Sequence, residues 1–278
     1  MRRFEFHKMH GAGNDFVLLD LRGQTVPVDA ALATRLADRR LGVGCDQVLV
    51  LRHPENAGRA ARYEILNADG SSAGQCGNGA RCIALYLDLM HENPSGSLVL
   101  ESPSGDVAVE RCADGEYQVD LGRPAFEPEN VPINSTPYNG KYHLETPWGA
   151  VSFAAASMGN PHALLEVENI AQAPLETLGY HLGQHEVFPR GCNVGFVEIV
   201  DRGTLHLRVC ERGTGETQAC GSGACAAVAM LRRDDRVNDT VNVFLPGGHL
   251  VIKWPGTGFP VTMKGPAVYV FRGTVDND

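Results

Sequence analysis

Lysine is scarce in this chain: the 278 residues hold it only at Lys8, Lys141, Lys253 and Lys264. A pyridoxal cofactor would need a Schiff-base lysine, and none of these four lies in the segments that carry the chemistry described below. No cofactor is expected. Excess positive charge is also missing, since the formal net charge is −9. That balance argues against a nucleic-acid or anionic-membrane partner, either of which would need a basic face. No apolar run approaches the roughly 18–20 residues that cross a bilayer. Near the start of the chain Glu5, His7 and Lys8 interrupt any signal-peptide core, so a cytoplasmic location is expected. The eight cysteines include no Cys-x-x-Cys pair, and the spacings 76–82 and 220–225 do not suit a structural zinc loop. No metal is expected. Without a secretory signal, no disulfide framework is expected either.

What remains is a folded, soluble composition, 43% hydrophobic and 21% charged, with length enough for two ordinary domains. The chain states one pattern twice. Gln75-Cys76-Gly77-Asn78-Gly79-Ala80 returns as Ala219-Cys220-Gly221-Ser222-Gly223-Ala224 at an offset of 144 residues. Gly13-Asn14 returns as Gly159-Asn160, and Gln47 falls opposite Asn193, both at an offset of 146. Asn67, before Asp69-Gly70, falls opposite Glu211, before Gly213. Ordered landmarks at a steady offset imply an internal duplication.

Short strand-like runs dominate, for example 48–51, 98–102, 107–110 and 194–199. Helical patterns are fewer, at 29–40, 80–90 and 224–232. The expected fold class is α+β, with two pseudo-symmetric domains that each open a helix at a Cys-Gly-x-Gly loop. The expected division is residues 1–120, joined by a C-terminal strand at 266–278, and residues 121–265, with the active site in the cleft between them. The proline-rich stretch from Arg123 to Pro147 reads as the connection between domains.

A cysteine just before a helix meets unpaired N–H groups and the positive end of the helix dipole. That setting favours thiolate, and the same N–H groups can hold a carboxylate. The flanking glycines would let backbone approach a ligand closely. Two such thiols suit racemisation or epimerisation, in which one removes an α-proton and the other returns a proton to the opposite face. Two blander readings compete. The glycines can simply pack a helix entry, and Gly221-Ser222-Gly223-Ala224-Cys225-Ala226 formally fits a dinucleotide fingerprint. That fingerprint should begin directly after a strand, and here residues 213–219 intervene. Cys82 and Cys225 fall inside helical patterns and read as buried and inert. Cys45, Cys192 and Cys210 read as packing. His162 and Glu211 gain weight as site residues because both belong to the repeat.

The segments His10-Gly11-Ala12-Gly13-Asn14-Asp15-Phe16, Asn67-Ala68-Asp69-Gly70-Ser71, Gln75-Cys76-Gly77-Asn78-Gly79-Ala80-Arg81, Gly159-Asn160-Pro161-His162 and Glu211-Arg212-Gly213 through Ala219-Cys220-Gly221-Ser222-Gly223 resemble the diaminopimelate epimerase family. The resemblance runs from about residue 4 to 273. It implies that each domain is a mixed, β-barrel-like sheet around a central helix. It implies a cofactor-independent interconversion of LL- and meso-diaminopimelate, on the route to lysine and cell-wall precursors. By the resemblance Cys76 and Cys220 are the acid–base thiols, and backbone amides of Gly77, Asn78, Gly221 and Ser222 hold the reacting carboxylate. Asn14, Gln47, Asn67, Asn160, Asn193, Glu211 and Arg212 would bind the rest of the substrate, with His162 and Glu211 tuning thiol protonation. A homodimer is the expected assembly. The runner-up enzyme is a proline or hydroxyproline racemase, whose members typically carry histidine where this chain has Asn78. The non-enzymatic alternative is an amino-acid-binding protein with packed cysteines.

Overall fold

The computed structural model describes residues 2–74 and 76–277, apart from the side chains of Arg2 and Asn277. Gln75, in the first loop motif, lies outside the described residues. The elements begin with β1 (Arg2–Gly11), β2 (Asn14–Asp20), α1 (Ala30–Ala37), β3 (Gln47–Arg52) and β4 (Ala61–Asn67). Next come α2 (Gly77–Leu89), β5 (Ser97–Ser102), β6 (Gly105–Arg111) and β7 (Tyr117–Asp120). The chain continues with β8 (Tyr142–Thr146), β9 (Gly149–Ser157), β10 (Pro161–Glu166), α3 (Tyr180–Gly183), β11 (Asn193–Asp201) and β12 (Thr204–Glu211). It ends with β13 (Gly215–Glu216), α4 (Gly221–Arg233), β14 (Thr240–Leu245), β15 (Gly248–Lys253), β16 (Thr262–Gly265) and β17 (Val268–Asn277). Strands predominate and helices are few, an α+β architecture. Among the described residues no helix is long and apolar enough to cross a membrane.

The chain divides into two compact units. Residues up to Asp120, with those from Lys264 onward, form the first, and Leu121–Met263 form the second. In the first unit β1 pairs antiparallel with β17 and β2. From there β2 runs parallel to β3, β3 antiparallel to β4, β4 parallel to β5, and β5 antiparallel to β6. The parallel step from β4 to β5 needs a crossover, and α2 supplies it. Strand β3 is buried along Val48, Leu49, Val50 and Leu51 because both its faces are covered. Val48 and Val50 join Leu32 and Leu36 of α1 in one core cluster. Leu49 faces α2, where a Cβ on Gly79 would lie 3.1 Å from its Cδ2.

The second unit repeats this alternation. There β10 runs parallel to β11, β11 antiparallel to β12, β12 parallel to β14, and β14 antiparallel to β15. The crossover from β12 to β14 is α4. The register repeats as well: Phe16 pairs with Gln47 in the first unit and His162 with Asn193 in the second. Each partner in the second pair lies 146 residues after its counterpart in the first. The duplication read from the motifs is therefore written into the strand pairing.

Two expectations need correction. The stretch from Arg123 to Pro147 is part of the second unit rather than a connection, because Val131, Ile133 and Tyr142 are buried in that unit's core. The central helices begin at Gly77 and Gly221, three residues before the starts read from apolar periodicity. Glycine and asparagine have low helix propensity, but an extended cysteine precedes each first turn, and in α2 its sulfur accepts the Gly79 N–H.

Candidate active site

Each cysteine of the repeat is the N-cap of its helix. Cys76 has φ −142° and ψ 107°, and Cys220 has φ −95° and ψ 99°. Extended backbone at this position points the first-turn N–H groups outward past the side chain. The second glycine of each loop is closely packed. A Cβ on Gly79 would stand 3.1 Å from Leu49, and a Cβ on Gly223 would stand 3.1 Å from Val209. A side chain at either position would push a few tenths of an ångström into the sheet residue that faces it. The asparagines of the repeat are also placed alike. Gly13 (φ +84°) and Gly159 (φ +91°) take the left-handed conformation that glycine adopts without steric cost, immediately before Asn14 and Asn160.

In the first unit Cys76 is half-buried. Its Sγ accepts from the Gly79 N–H at 3.5 Å and donates to Asn14 Oδ1 at 3.7 Å. The same Oδ1 accepts from Asn78 Nδ2 at 3.1 Å, so Asn14, Cys76 and Asn78 meet at one oxygen. Gln47 Nε2 donates to Asn67 Oδ1 at 2.8 Å across the β3–β4 pair, and Asn67 Nδ2 donates to Ser71 Oγ at 2.9 Å. Gln47 and Asn67 thus form a second polar group in this unit.

In the second unit Cys220 is only 4% exposed, and its Sγ lies 3.7 Å from Ser222 Oγ. Asn160 Nδ2 donates to Ser222 Oγ at 3.3 Å, and Asn160 Oδ1 lies 3.0 Å from His162 Nε2. With its amide N–H given to Ser222, Asn160 accepts at Oδ1, so His162 carries its proton on Nε2. Asn193 sits on the neighbouring strand and accepts the Arg212 backbone N–H at 2.9 Å. The exposed Arg212 side chain donates through Nη1 to the Arg190 carbonyl at 2.9 Å. Glu211 Oε1 accepts from the Thr217 hydroxyl.

Ionisation at Cys220 departs from the helix-mouth expectation. Burial raises this thiol well above its ordinary range, and the Glu211 carboxylate raises it further. The Ser222 hydroxyl and the Gly223 N–H pull the other way without winning. Loss of hydration outweighs the helix terminus here, so Cys220 rests as a thiol. His162 is 2% exposed, and burial, aided by the Arg212 charge, depresses its pKa to about 3. It is a neutral donor that reaches Cys220 through Asn160 and Ser222. Glu211 acts on the thiol directly.

Several residues around the site escaped the sequence reading. Thr217 holds Glu211. Arg81, within a quoted motif, is fully buried and donates through Nη2 to Asn78 Oδ1 at 2.8 Å. Asp46 accepts from Asn14 Nδ2 at 2.9 Å. Their spacing from the cysteine carries no sign of these contacts. Among the described residues no group of three or more His, Cys, Asp or Glu is placed to hold a metal ion.

The chain matches the family model described as diaminopimelate epimerase over residues 6–127 and 154–270. It is 51% identical over 272 residues to a diaminopimelate epimerase of Xanthomonas euvesicatoria pv. vesicatoria (strain 85-10), covering 98% of this chain and 96% of the relative. It is 50% identical over 269 residues to a diaminopimelate epimerase of Xylella fastidiosa (strain M23), covering 96% and 95%. Among solved structures, a hydroxyproline epimerase from Agrobacterium vitis has a TM-score of 0.74 at 19% identity, covering 99% of this chain and 92% of that one. A phenazine biosynthesis protein of the PhzF family from Bacillus anthracis has a TM-score of 0.70 at 15% identity, with both chains fully covered. At such identities the structural likenesses establish the fold, and the two-part family match together with the full-length relatives places this chain in the diaminopimelate epimerase family.

Proposed function

We propose that this protein interconverts LL- and meso-diaminopimelate without a cofactor, using Cys76 and Cys220 as a thiolate–thiol pair on opposite faces of the reacting α-carbon. The observation that carries this reading is the repeated geometry: a cysteine N-cap on a buried helix in each unit, with an asparagine or serine hydrogen-bonded nearby. Each sulfur is set between opposing influences. Cys76 has the Gly79 N–H, which favours thiolate, and Asn14 Oδ1, which accepts from thiol. Cys220 has Ser222 and the Gly223 N–H on one side, with burial and Glu211 on the other. A group that must be base in one direction and acid in the other needs both forms within reach.

In this reading Cys220 enters as the thiol, and Cys76 as thiolate takes the α-proton. The Cys220 S–H then protonates the opposite face, leaving Cys76 as thiol and Cys220 as thiolate; the reverse direction exchanges their parts. The first-turn amides at Gly77, Asn78, Gly221 and Ser222 stabilise the charge that develops on the carboxylate as the proton leaves. Asn14, Gln47, Asn67, Asn160, Asn193 and Glu211 receive the remaining polar groups, since asparagine and glutamine can both donate and accept. The working assembly is a homodimer in the cytoplasm.

Arg212 supplies a planar fork for the distal carboxylate. Arg212→Lys keeps the charge but loses the parallel hydrogen bonds. It should lower kcat/KM for diaminopimelate about 10- to 100-fold, the size of one to two charge-assisted hydrogen bonds. Steady-state kinetics checks this, and wild-type kcat/KM in the lysine variant would move distal recognition elsewhere. The function itself is tested by incubating the protein with LL-diaminopimelate and, separately, with L-proline, then resolving stereoisomers. Epimerisation of the first alone is expected. Racemisation of proline, or turnover of neither, would overturn the proposal.

A further inference from the structure

We infer that Arg81 and Asp46 are positioning residues for Cys76: together they lock the Asn78 and Asn14 amides so that the Asn14 carbonyl oxygen, and not its NH2 group, faces the sulfur. The inference deepens the proposed function and rests on it for its meaning, although its test reads the cysteine alone.

An asparagine amide can turn over, exchanging an acceptor for two donors in almost the same volume. What decides its orientation is the character of its neighbours. At one end of this chain of contacts, Arg81 donates through Nη2 to Asn78 Oδ1 at 2.8 Å and through Nε to the Pro266 carbonyl at 3.2 Å. Guanidinium can only donate, so the oxygen of Asn78 must face Arg81, and its Nδ2 points to Asn14 at 3.1 Å. At the other end Asp46 Oδ2 is a carboxylate oxygen and can only accept, so it takes the Asn14 Nδ2 hydrogen at 2.9 Å. Asp46 is itself held by Arg39 Nη2 at 2.7 Å and by the Asp15 backbone N–H at 3.2 Å. A cation at one end and an anion at the other therefore demand the same direction of both amides. Reversing Asn14 would set its oxygen against a carboxylate and its NH2 against another NH2.

The consequence falls on Cys76. Its sulfur has a fixed donor in the Gly79 N–H and a fixed acceptor in Asn14 Oδ1, at 3.5 and 3.7 Å. A reversed Asn14 would give the sulfur a second donor, favour thiolate, and handicap the acid half of the cycle. Among the ionisable groups that face Cys76 are Tyr63 on β4 and Cys82 on α2; Asp46 stands beyond Asn14, Arg81 beyond Asn78, and Asp15 beyond Asp46. Burial raises both Tyr63 and Cys82 above their ordinary ranges, so they remain neutral near neutral pH.

The test follows iodoacetamide alkylation of Cys76 against pH. The readout is the tryptic peptide from Tyr63 to Arg81, which contains no other cysteine. Asp46→Asn removes the demand for a donor, and Asn14 is free to turn. The alkylation midpoint should fall by about one pH unit, the scale of exchanging an acceptor for a donor at a thiolate. Loss of a negative charge alone would also lower it, so Asp15→Asn is the control. The Asp15 carboxylate belongs to the same ion cluster, but it bonds Lys8, Arg39 and the Asp46 N–H rather than the Asn14 amide. Its replacement should move the midpoint by less than half as much. A midpoint in Asp46→Asn that stays put, rises, or falls no further than the control overturns the inference. Should that variant fail to fold, wild-type protein answers by NMR: the Asn14 side-chain NH2 should exchange with solvent at least about tenfold more slowly than an exposed asparagine. Exchange at the exposed rate overturns the inference. Neither readout uses turnover, so an inactive protein with the expected midpoints would refute the proposed function and leave the positioning intact.

Discussion

Replacing either Cys76 or Cys220 with alanine is expected to cut diaminopimelate epimerisation by about two to four orders of magnitude, the range for losing a general acid or base. Alanine can keep the extended N-cap backbone at both positions; Cys76→Ala also removes the sulfur that accepts the Gly79 N–H, whereas Cys220 makes no side-chain cap bond. Cys76 is half-buried and Cys220 is 4% exposed, so the second replacement removes more packing. Each variant should therefore be checked by circular dichroism before its rate is read. Equal losses with intact folds are expected if the two thiols share one cycle. A variant that retained near wild-type turnover would remove its cysteine from the chemistry.

The second large effect is on stability and falls on His162. Its pKa is depressed from an ordinary 6.5 to about 3, with burial as the main cause and the Arg212 charge as the lesser one. Between those values the unfolded chain binds a proton that the folded protein refuses, so stability rises with pH across this window. The contribution is complete above pH 6.5 and is lost progressively as pH falls towards 3. At pH 4.5 the loss from this residue is on the order of 2–3 kcal/mol, at about 1.4 kcal/mol per pH unit. His162→Gln keeps a donor near Asn160 and does not titrate, so its stability should fall less steeply on acidification than that of the wild type. Urea unfolding of both proteins at pH 7 and pH 4.5 measures the difference. Equal slopes would mean that His162 accepts a proton in the fold.

Much of this architecture was legible in the residues because the duplication left dense, unusual marks. Cys-Gly-x-Gly, Gly-Asn and the polar partners Gln47 and Asn193 recur in order, and the strand register carries the same spacing. The helix starts were less legible. Gly77-Asn78-Gly79 reads as loop by propensity, whereas capping and a close fit against Leu49 make it the first turn. The proline-rich stretch misled because its few buried side chains, Val131 and Ile133 among them, show no periodicity. At the site, residue identity names groups able to bind and react, but it does not say how each group ionises. Cys220 rests as a thiol because of burial and the approach of Glu211, and both are tertiary facts. Arg81 was hidden for the opposite reason. Arginine is ordinarily a surface residue, and only the fold reveals it fully buried and committed to Asn78.

The central claim is that two thiols, one from each unit, handle the α-proton from opposite faces. Its most direct test is early turnover of LL-diaminopimelate in deuterium oxide, with the deuterium content of each stereoisomer read by mass spectrometry. Because the returning proton comes from the second, solvent-exchanged thiol, the meso product should carry one deuterium at the reacting carbon, while LL-substrate remaining at that stage stays largely protiated. Meso product that retains the substrate's own hydrogen would mean that a single group removes and returns it, and would contradict the account.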